Sequence, residues 1–486
     1  MFRLASRIGA AALLSVLAVV AGRTALATTG VRPEGDGPLF AHAIQFRSSL
    51  GLAADLDSVR ASYANGRTYS SREFGVPLTV EERDDVSDRI KIQVETDAAV
   101  GAALKISGYA GHYFDQDDLG KPVFLFTDPS SPLVDAVRLA LPEGTPHELR
   151  KARWTYAELV TMKEEVKEAV ESLKTDSLEQ TSVGIDVVAN RVYVGLAAYE
   201  TSKAEALNRA YPNQLVIEAI EPSETNSCTS MNYCWPMKGG LRIYQLDLSS
   251  HPKCTSGFLG RRNDTNAMVI VTAGHCLEIN GDGVNDDWGH ALTPTGADNF
   301  GGELGRTWFE NANADIGLIQ LNSTASSAVG SNRNLLLVDE PGVVDSVTSI
   351  KPYLYQTAGM IVCRIGWGTG YGGDPPSNDP RTCGLIETHF NEDRDSCNPQ
   401  HTICWNIHHT WKVDFDSVGG DSGGPIYQLV VAEPNTYAIA FGTHVDSEIG
   451  SNADEGWYSP INFGIQAYDE LPASYTYRVC TTTSCP

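Results

Sequence analysis

Gly419-Gly420-Asp421-Ser422-Gly423-Gly424-Pro425 is the stretch that decides how this chain is read. A serine hydroxyl holds its proton too tightly to attack at neutral pH, so Ser422 becomes a nucleophile only with a neutral imidazole beside it. That imidazole needs a buried carboxylate to fix its tautomer and stabilise its protonated form. Two upstream islands supply both groups: Thr272-Ala273-Gly274-His275-Cys276 and Asn313-Ala314-Asp315-Ile316-Gly317-Leu318. The glycines matter too. Gly420 permits a tight turn that aims its own N–H and that of Ser422 into one oxyanion hole, where a single donor is typically worth on the order of 3 kcal/mol. Each island alone has a plain reading, as a loop, a structural histidine or a surface aspartate. Their joint presence in the order His, Asp, Ser points to acyl transfer at Ser422, and it is not the Ser-before-His order of an α/β-hydrolase esterase.

Outward from these islands, the chain divides. It has 486 residues, too many for one ordinary domain, and is 42% hydrophobic and 20% charged with a formal charge of −25. Such acidity repels phosphate and argues against nucleic acid or an anionic membrane as partner. Arg3 and Arg7, the apolar run Ile8 to Ala21 and the small residues Ala25-Leu26-Ala27 read as a signal peptide over residues 1–27, cleaved after Ala27. All ten cysteines lie at or beyond Cys228, an even set suited to an oxidising compartment, so the expected location is extracellular or periplasmic. Residues 28–227 contain none.

Residues 28 to about 80 are weakly patterned. From Thr155, Leu159, Met162, Val166, Val170 and Leu173 fall at helical spacing. Ile185, Val187, Val192 and Val194 alternate about Ala189-Asn190 and predict a β-hairpin. A second helix near Ser202 to Ala210 and an apolar run from Leu215 to Ile220 follow. Glu221 to Ser227 is a polar linker. Beyond Cys228 the texture is short β-rich runs, such as Met268 to Thr272, Ile316 to Leu321, Gly359 to Arg364 and Tyr437 to Phe441, separated by Gly, Asn and Asp turns. The expected organisation is a cysteine-free α+β region over 28–227, an all-β catalytic domain over 228–471, and a short tail over 472–486.

Thr272 to Cys276 and Gly420 to Pro425 resemble the chymotrypsin-type serine proteases. Cys254-Thr-Ser-Gly-Phe258, Val362-Cys363-Arg364, Gly368-Thr369-Gly370-Tyr371, Cys383-Gly384 and Tyr458-Ser459-Pro460-Ile461 narrow the resemblance to the bacterial branch of α-lytic protease and the streptogrisins. It covers about Gly239 to Leu471. The resemblance implies a double six-stranded β-barrel, with His275 as general base, Asp315 as its orienter, Ser422 as nucleophile, and Gly420 with Ser422 as oxyanion donors. It also implies the bridges Cys254–Cys276 and Cys363–Cys383. The helix–hairpin–helix–strand order of residues 155–220 is similar to that branch's pro-regions, which assist folding and are then cut away. A permanent second domain is the competing reading.

Other residues bear on specificity, metals and bridges. Asp416, six before Ser422, would select Arg or Lys if it floored the pocket. Ser417 and His444 are similar to the pair with which glutamyl endopeptidases hold an acidic side chain, and Asp416 would oppose that choice. As a plain turn residue, Asp416 would do neither. Asn280, Asp282 and Asp286 lie in an oxygen-rich, glycine-spaced loop that could hold a structural calcium, or be only a turn. His408 and His409 should point apart on a strand, against a metal site there. Proximity in sequence favours Cys228–Cys234, Cys397–Cys404 and Cys480–Cys485. The expected protein is a monomeric secreted zymogen acting on polypeptides without an organic cofactor. The rival is an inactive homologue serving as a binding module, disfavoured because all three triad residues remain.

Overall fold

In a computed structural model of the chain, residues 38–65, 74–76, 78–174, 181–196, 199–219, 223–224, 239–246, 253–277, 287–290, 303–311, 314–329, 335–339, 343–366, 381–397, 404–415, 417, 420–432, 435–448, 455–461 and 477–481 are described. The signal peptide expected over 1–27 and the calcium loop with Asn280, Asp282 and Asp286 fall outside them. So do Asp416, Cys228, Cys234 and Cys485, the linker residues 221–222 and 225–227, and all of the proposed tail except 477–481.

The first half mixes helices and strands. Helices α1 (Pro38–Ser49), α2 (Leu56–Asn65), α3 (Val80–Glu95), α4 (Asp97–Ala103), α5 (Asp135–Ala140), α6 (Tyr156–Leu173) and α7 (Thr201–Ala210) accompany seven strands. These are β1 (Tyr109–Asp115), β2 (Lys121–Phe126), β3 (Glu148–Lys151), β4 (Thr181–Asp186), β5 (Arg191–Leu196), β6 (Leu215–Ala219) and β7 (Ser223–Glu224). The helix expected from Leu159 to Leu173 is α6, with Leu159, Val166 and Val170 buried. Thr155 accepts from the Glu158 N–H while the Glu158 carboxylate accepts from the Thr155 N–H, a capping box that fixes its start. The expected hairpin is β4–β5. Asn190 closes it at φ 53, a left-handed position that Asn tolerates, and its side-chain oxygen accepts the N–H groups of Arg153 and Trp154. The weakly patterned stretch before residue 80 contains α1 and α2.

Among the described residues the second half is mostly strand, with a short α-helix, α8 (Ser323–Val329), and a 3-10 turn at Tyr353–Tyr355. Strands β8 (Arg242–Gln245), β9 (Lys253–Thr255), β10 (Leu259–Arg262), β11 (Met268–Ala273), β12 (Asp287–Gly289), β13 (Glu303–Asn311) and β14 (Ile316–Leu321) form the first sheet. Its order is β23-β10-β11-β14-β13-β12-β8-β9, with β23 (Tyr477–Val479) bringing the chain's end back to β10. The second sheet holds β15 (Leu335–Asp339), β16 (Val343–Ile350), β17 (Ile361–Ile365), β18 (Arg381–Cys397), β19 (Cys404–Val413), β20 (Pro425–Ala432), β21 (Asn435–Glu448) and β22 (Gly456–Pro460). A closed six-stranded barrel and a curled half-barrel sheet result, a chymotrypsin-like double barrel preceded by an α+β region.

The two halves are more continuous than the sequence suggests. The second sheet does not stop at β18: it runs on through β4, β5 and β6 of the N-terminal region. Phe390 pairs with Ile185, and Arg394 with Ser182. Beneath the sheet, Phe46, Phe74, Ile90 and Val123 share one hydrophobic core with Ile361, Trp411 and Tyr427. Buried polar groups bridge the same seam. Gln93 accepts from the Ile361 N–H and from Gln428, and donates to the Gly359 carbonyl. Residues 37–486 accordingly form one compact unit.

Candidate active site

Local ladders explain how distant residues meet. β11 and β14 are antiparallel, and their last rung pairs Ala273 with Ile316. His275 lies two residues beyond one end and Asp315 one residue before the other, so the two project from the same edge. The His275 N–H donates to Asp315 Oδ1 at 2.6 Å, and His275 Nδ1 lies 2.9 Å from Oδ2 and 3.1 Å from Oδ1. Both side chains are buried, and Asp315 holds φ at 45, in the left-handed region. Burial pulls the His275 pKa down, but the Asp315 charge and hydrogen bond outweigh it, and Asp446 adds to them, so the net displacement is upward.

Ser422 sits in the turn that opens β20, and β9 clamps this turn from the first barrel. The Thr255 N–H donates to the Ser422 carbonyl at 2.8 Å, and Thr255 Oγ1 to the Gly420 carbonyl at 2.6 Å. Gly420 adopts φ 108 and Gly423 φ 84. A Cβ on Gly423 would stand 2.0 Å from Thr272 Oγ1 and 2.5 Å from the Thr255 carbonyl, so the turn admits no side chain there. The Cys254–Cys276 bridge joins the clamp strand to the histidine segment. Cys276 Sγ touches both halves of the site, 3.9 Å from His275 Nε2 and 3.8 Å from the Ser422 carbonyl oxygen; as a disulfide sulfur it donates no proton. The Ser422 hydroxyl points to the Val445 carbonyl on β21 at 3.5 Å. The imidazole and carboxylate are thus paired with each other, and the Cys276 sulfur links them to the Ser422 turn, while the Ser422 hydroxyl is directed at the Val445 carbonyl rather than at the imidazole.

Several site residues were not assigned roles from sequence. Asp421, immediately before the serine, is wholly buried, and Arg364 Nη1 lies 2.6 Å from its Oδ2. The readable signal was a carboxylate beside a nucleophile turn, which burial obliges to find a cation. Arg364 follows Cys363, whose bridge to Cys383 spans facing residues of β17 and β18. Asp446 on β21 is a second buried carboxylate whose charge reaches His275.

Ser417 and His444 are both buried. His444 faces Phe415 with ring centroids 5.9 Å apart and pairs opposite Tyr458. Burial, then the charges of Arg364 and His275, hold His444 well below the usual imidazole range, and therefore neutral. His408 and His409 do not point cleanly apart as expected. His409 takes φ 58, which breaks the strand's alternation, and the two rings lie 6.3 Å apart. His408 Nδ1 is 3.2 Å from Asp393 Oδ2, which Lys167 also contacts at 2.8 Å. Among the described residues, no group of three or more His, Cys, Asp or Glu side chains could hold a metal ion. Cys397 and Cys404 are paired backbone positions in the β18–β19 ladder, and Cys480 is disulfide-bonded. No described helix is long and apolar enough to cross a membrane.

No family model matches the chain, and neither does any curated protein. Among solved structures it is similar to a Nocardiopsis protease, at 19% identity, covering 50% of this chain and 98% of that one with a TM-score of 0.33. It is also similar to a glutamic acid specific serine protease described as using a histidine triad in substrate binding, at 18% identity, 50% and 100% coverage and a TM-score of 0.34. Thermobifida fusca protease A shares 19% identity over 50% of this chain and 98% of its own, with a TM-score of 0.31. These likenesses each span about half of this chain.

Proposed function

We infer that this chain is a secreted serine endopeptidase, made as a zymogen, that hydrolyses peptide bonds through an acyl-enzyme on Ser422. The observation that supports this reading is the buried His275–Asp315 pair, whose histidine adjoins the Ser422 turn through the Cys276 sulfur. Asp315 fixes the proton on His275 Nδ1, leaving Nε2 to take the Ser422 proton as the hydroxyl attacks a carbonyl carbon. The resulting imidazolium, stabilised by Asp315, then protonates the departing amine. The N–H groups of Gly420 and Ser422 are the donors for the developing oxyanion. Water repeats the sequence on the ester and regenerates the hydroxyl.

The zymogen reading has its own support. β7 lies antiparallel to β21, with Glu224 opposite Ser447 and Ser223 opposite Glu448, two residues from the Val445 carbonyl that the Ser422 hydroxyl meets. The N-terminal region thus occupies the strand edge along which an extended substrate would lie. Its α6 grips β18 through Lys163 and Lys167, both on Asp393. Cleavage within residues 221–238 followed by departure of the N-terminal region would open that edge.

Fluorophosphonate labelling of the exported, processed protein tests the assignment. Wild type should label at Ser422 and Ser422→Ala should not; an unlabelled processed wild type defeats the reading. Peptides with Arg, Lys, Glu, Phe or Ala before the cut examine the pocket, where Asp416 favours a basic residue and Ser417 with His444 an acidic one. Calcium at Asn280, Asp282 and Asp286 is a separate proposal: chelation should lower Tm and calcium restore it.

A further inference from the structure

A buried arginine beside the substrate edge has work that neither the triad nor the fold uses. Along β18, Asp393 turns toward α6, where Lys163 and Lys167 meet it. Arg394, next along the strand, reaches instead to β21 and β22. Its guanidinium carbon lies 3.5 Å from the centre of the Trp457 ring, and Nη2 is 3.6 Å from Asp446 Oδ2, too long for a hydrogen bond. The side chain is only 4% exposed, and Nε and Nη1 have no hydrogen-bond partner. Cation–π stacking holds the guanidinium in place without using its in-plane N–H donors. A buried charged donor left unmet is costly, so these N–H groups call for an acceptor that arrives from outside.

The strand register says where that acceptor arrives. The Ser422 hydroxyl lies at Val445, which marks the rung of β21 level with the nucleophile. β7 shows that an extended segment pairs antiparallel with this edge and also adjoins β18 at Cys397, three residues past Arg394. For a peptide in this register, the residue opposite Val445 precedes the scissile bond, and the residue before it falls opposite Asp446. Directly opposed residues of an antiparallel pair project to the same face, which here is the face of Asp446 and Arg394.

Resting on the serine endopeptidase reading, we propose that Arg394 is a specificity-determining residue that selects an acidic side chain, Asp or Glu, at the second residue before the scissile bond. A planar guanidinium with two free donors fits a carboxylate, and Trp457 fixes its plane. Asp446 tempers the local positive charge without using those donors.

The test uses the full chain, expressed, exported and processed, with peptides identical except for Glu, Gln, Leu or Lys at that second position. Wild type should cleave the Glu peptide at least about tenfold better in kcat/KM than the Gln peptide, with Lys worst. Arg394→Gln should bring the Glu:Gln ratio close to one, and Arg394→Lys should keep part of it. Equal cleavage of Glu and Gln by wild type overturns the proposal without any variant, as does an undiminished ratio in Arg394→Gln. Fluorophosphonate labelling runs alongside. A labelled enzyme that cleaves the Leu peptide but ignores Glu sinks the Arg394 role alone, whereas an unlabelled, inactive wild type sinks the endopeptidase reading and this inference with it.

Discussion

Arg364→Met isolates the ion pair that underlies the nucleophile turn. Arg364 and Asp421 are both fully buried, with Nη1 and Oδ2 2.6 Å apart, and Arg364 Nη2 also donates to Thr382 Oγ1 at 3.0 Å. Methionine keeps much of the side-chain volume, so the cavity contribution is small and the loss is mainly electrostatic. It leaves the Asp421 carboxylate buried without its cation, a change that typically costs about 3–5 kcal/mol. The cation–π contact of Arg364 with Phe415, 5.3 Å to the ring centre, goes as well and adds roughly 0.5–1 kcal/mol. Against a typical total of about 5–15 kcal/mol, the variant should be left marginal. Asp421→Asn in the same chain removes the orphaned charge and should recover much of the loss, because the damage comes from one partner surviving the other. Urea titration followed by tryptophan fluorescence measures the stability, and active-site titration counts competent Ser422. The reasoning fails if Arg364→Met lies within about 1 kcal/mol of wild type, or if the double variant is no more stable than the single one.

Three further outcomes follow from the same geometry. Asp315→Asn should retain the fold and substrate binding but lower kcat by about four orders of magnitude, because the imidazole loses the partner that fixes its tautomer; a change under about tenfold in steady-state kinetics would remove Asp315 from the triad. The upward-displaced His275 must be neutral to act, so kcat/KM of the processed enzyme should collapse as pH falls through a value above 6.5, and Asp446→Asn should move that midpoint down. In stability the sign is reversed: the protonated His275 favours the fold at low pH, and this gain disappears as pH rises through the same midpoint. Gly423→Ala should cost several kcal/mol and abolish labelling of Ser422, since the methyl has no space and the backbone stands at φ 84; a soluble variant that labels normally would show that the turn yields.

What was legible in the sequence was whatever is encoded locally. The glycine turn at Ser422, the β-rich runs of β11 and β14, and the apolar stripe of α6 all declare themselves within a short stretch of chain. The N-terminal helices did not, because their inward faces carry polar groups: Arg47, Arg89 and Gln93 are buried and break the apolar period. Arg47 is met by both oxygens of Glu82. One local signal was nonetheless present at α3. Thr79 and Glu82 form a capping box there, spaced as Thr155 and Glu158 are before α6. The long-range pairings leave no such trace. Nothing near Ile185 says that it will lie beside Phe390, and nothing near Arg364 names Asp421, because each needs the folded sheet to bring its partner.

The shared core has a consequence for how latency would end. Phe46, Phe74, Ile90 and Val123 on one side of the seam, and Ile361, Trp411 and Tyr427 on the other, stay packed whether or not the backbone between residues 224 and 239 is intact. Cutting that connection removes a tether and leaves the oily contact dry. The severed front half would therefore remain seated as a plug, held by the work needed to wet both faces, and would come away only as fast as it unfolds or is digested in place. Hydrolysis of the joint would set the clock running, and the durability of the front half would decide when it stops.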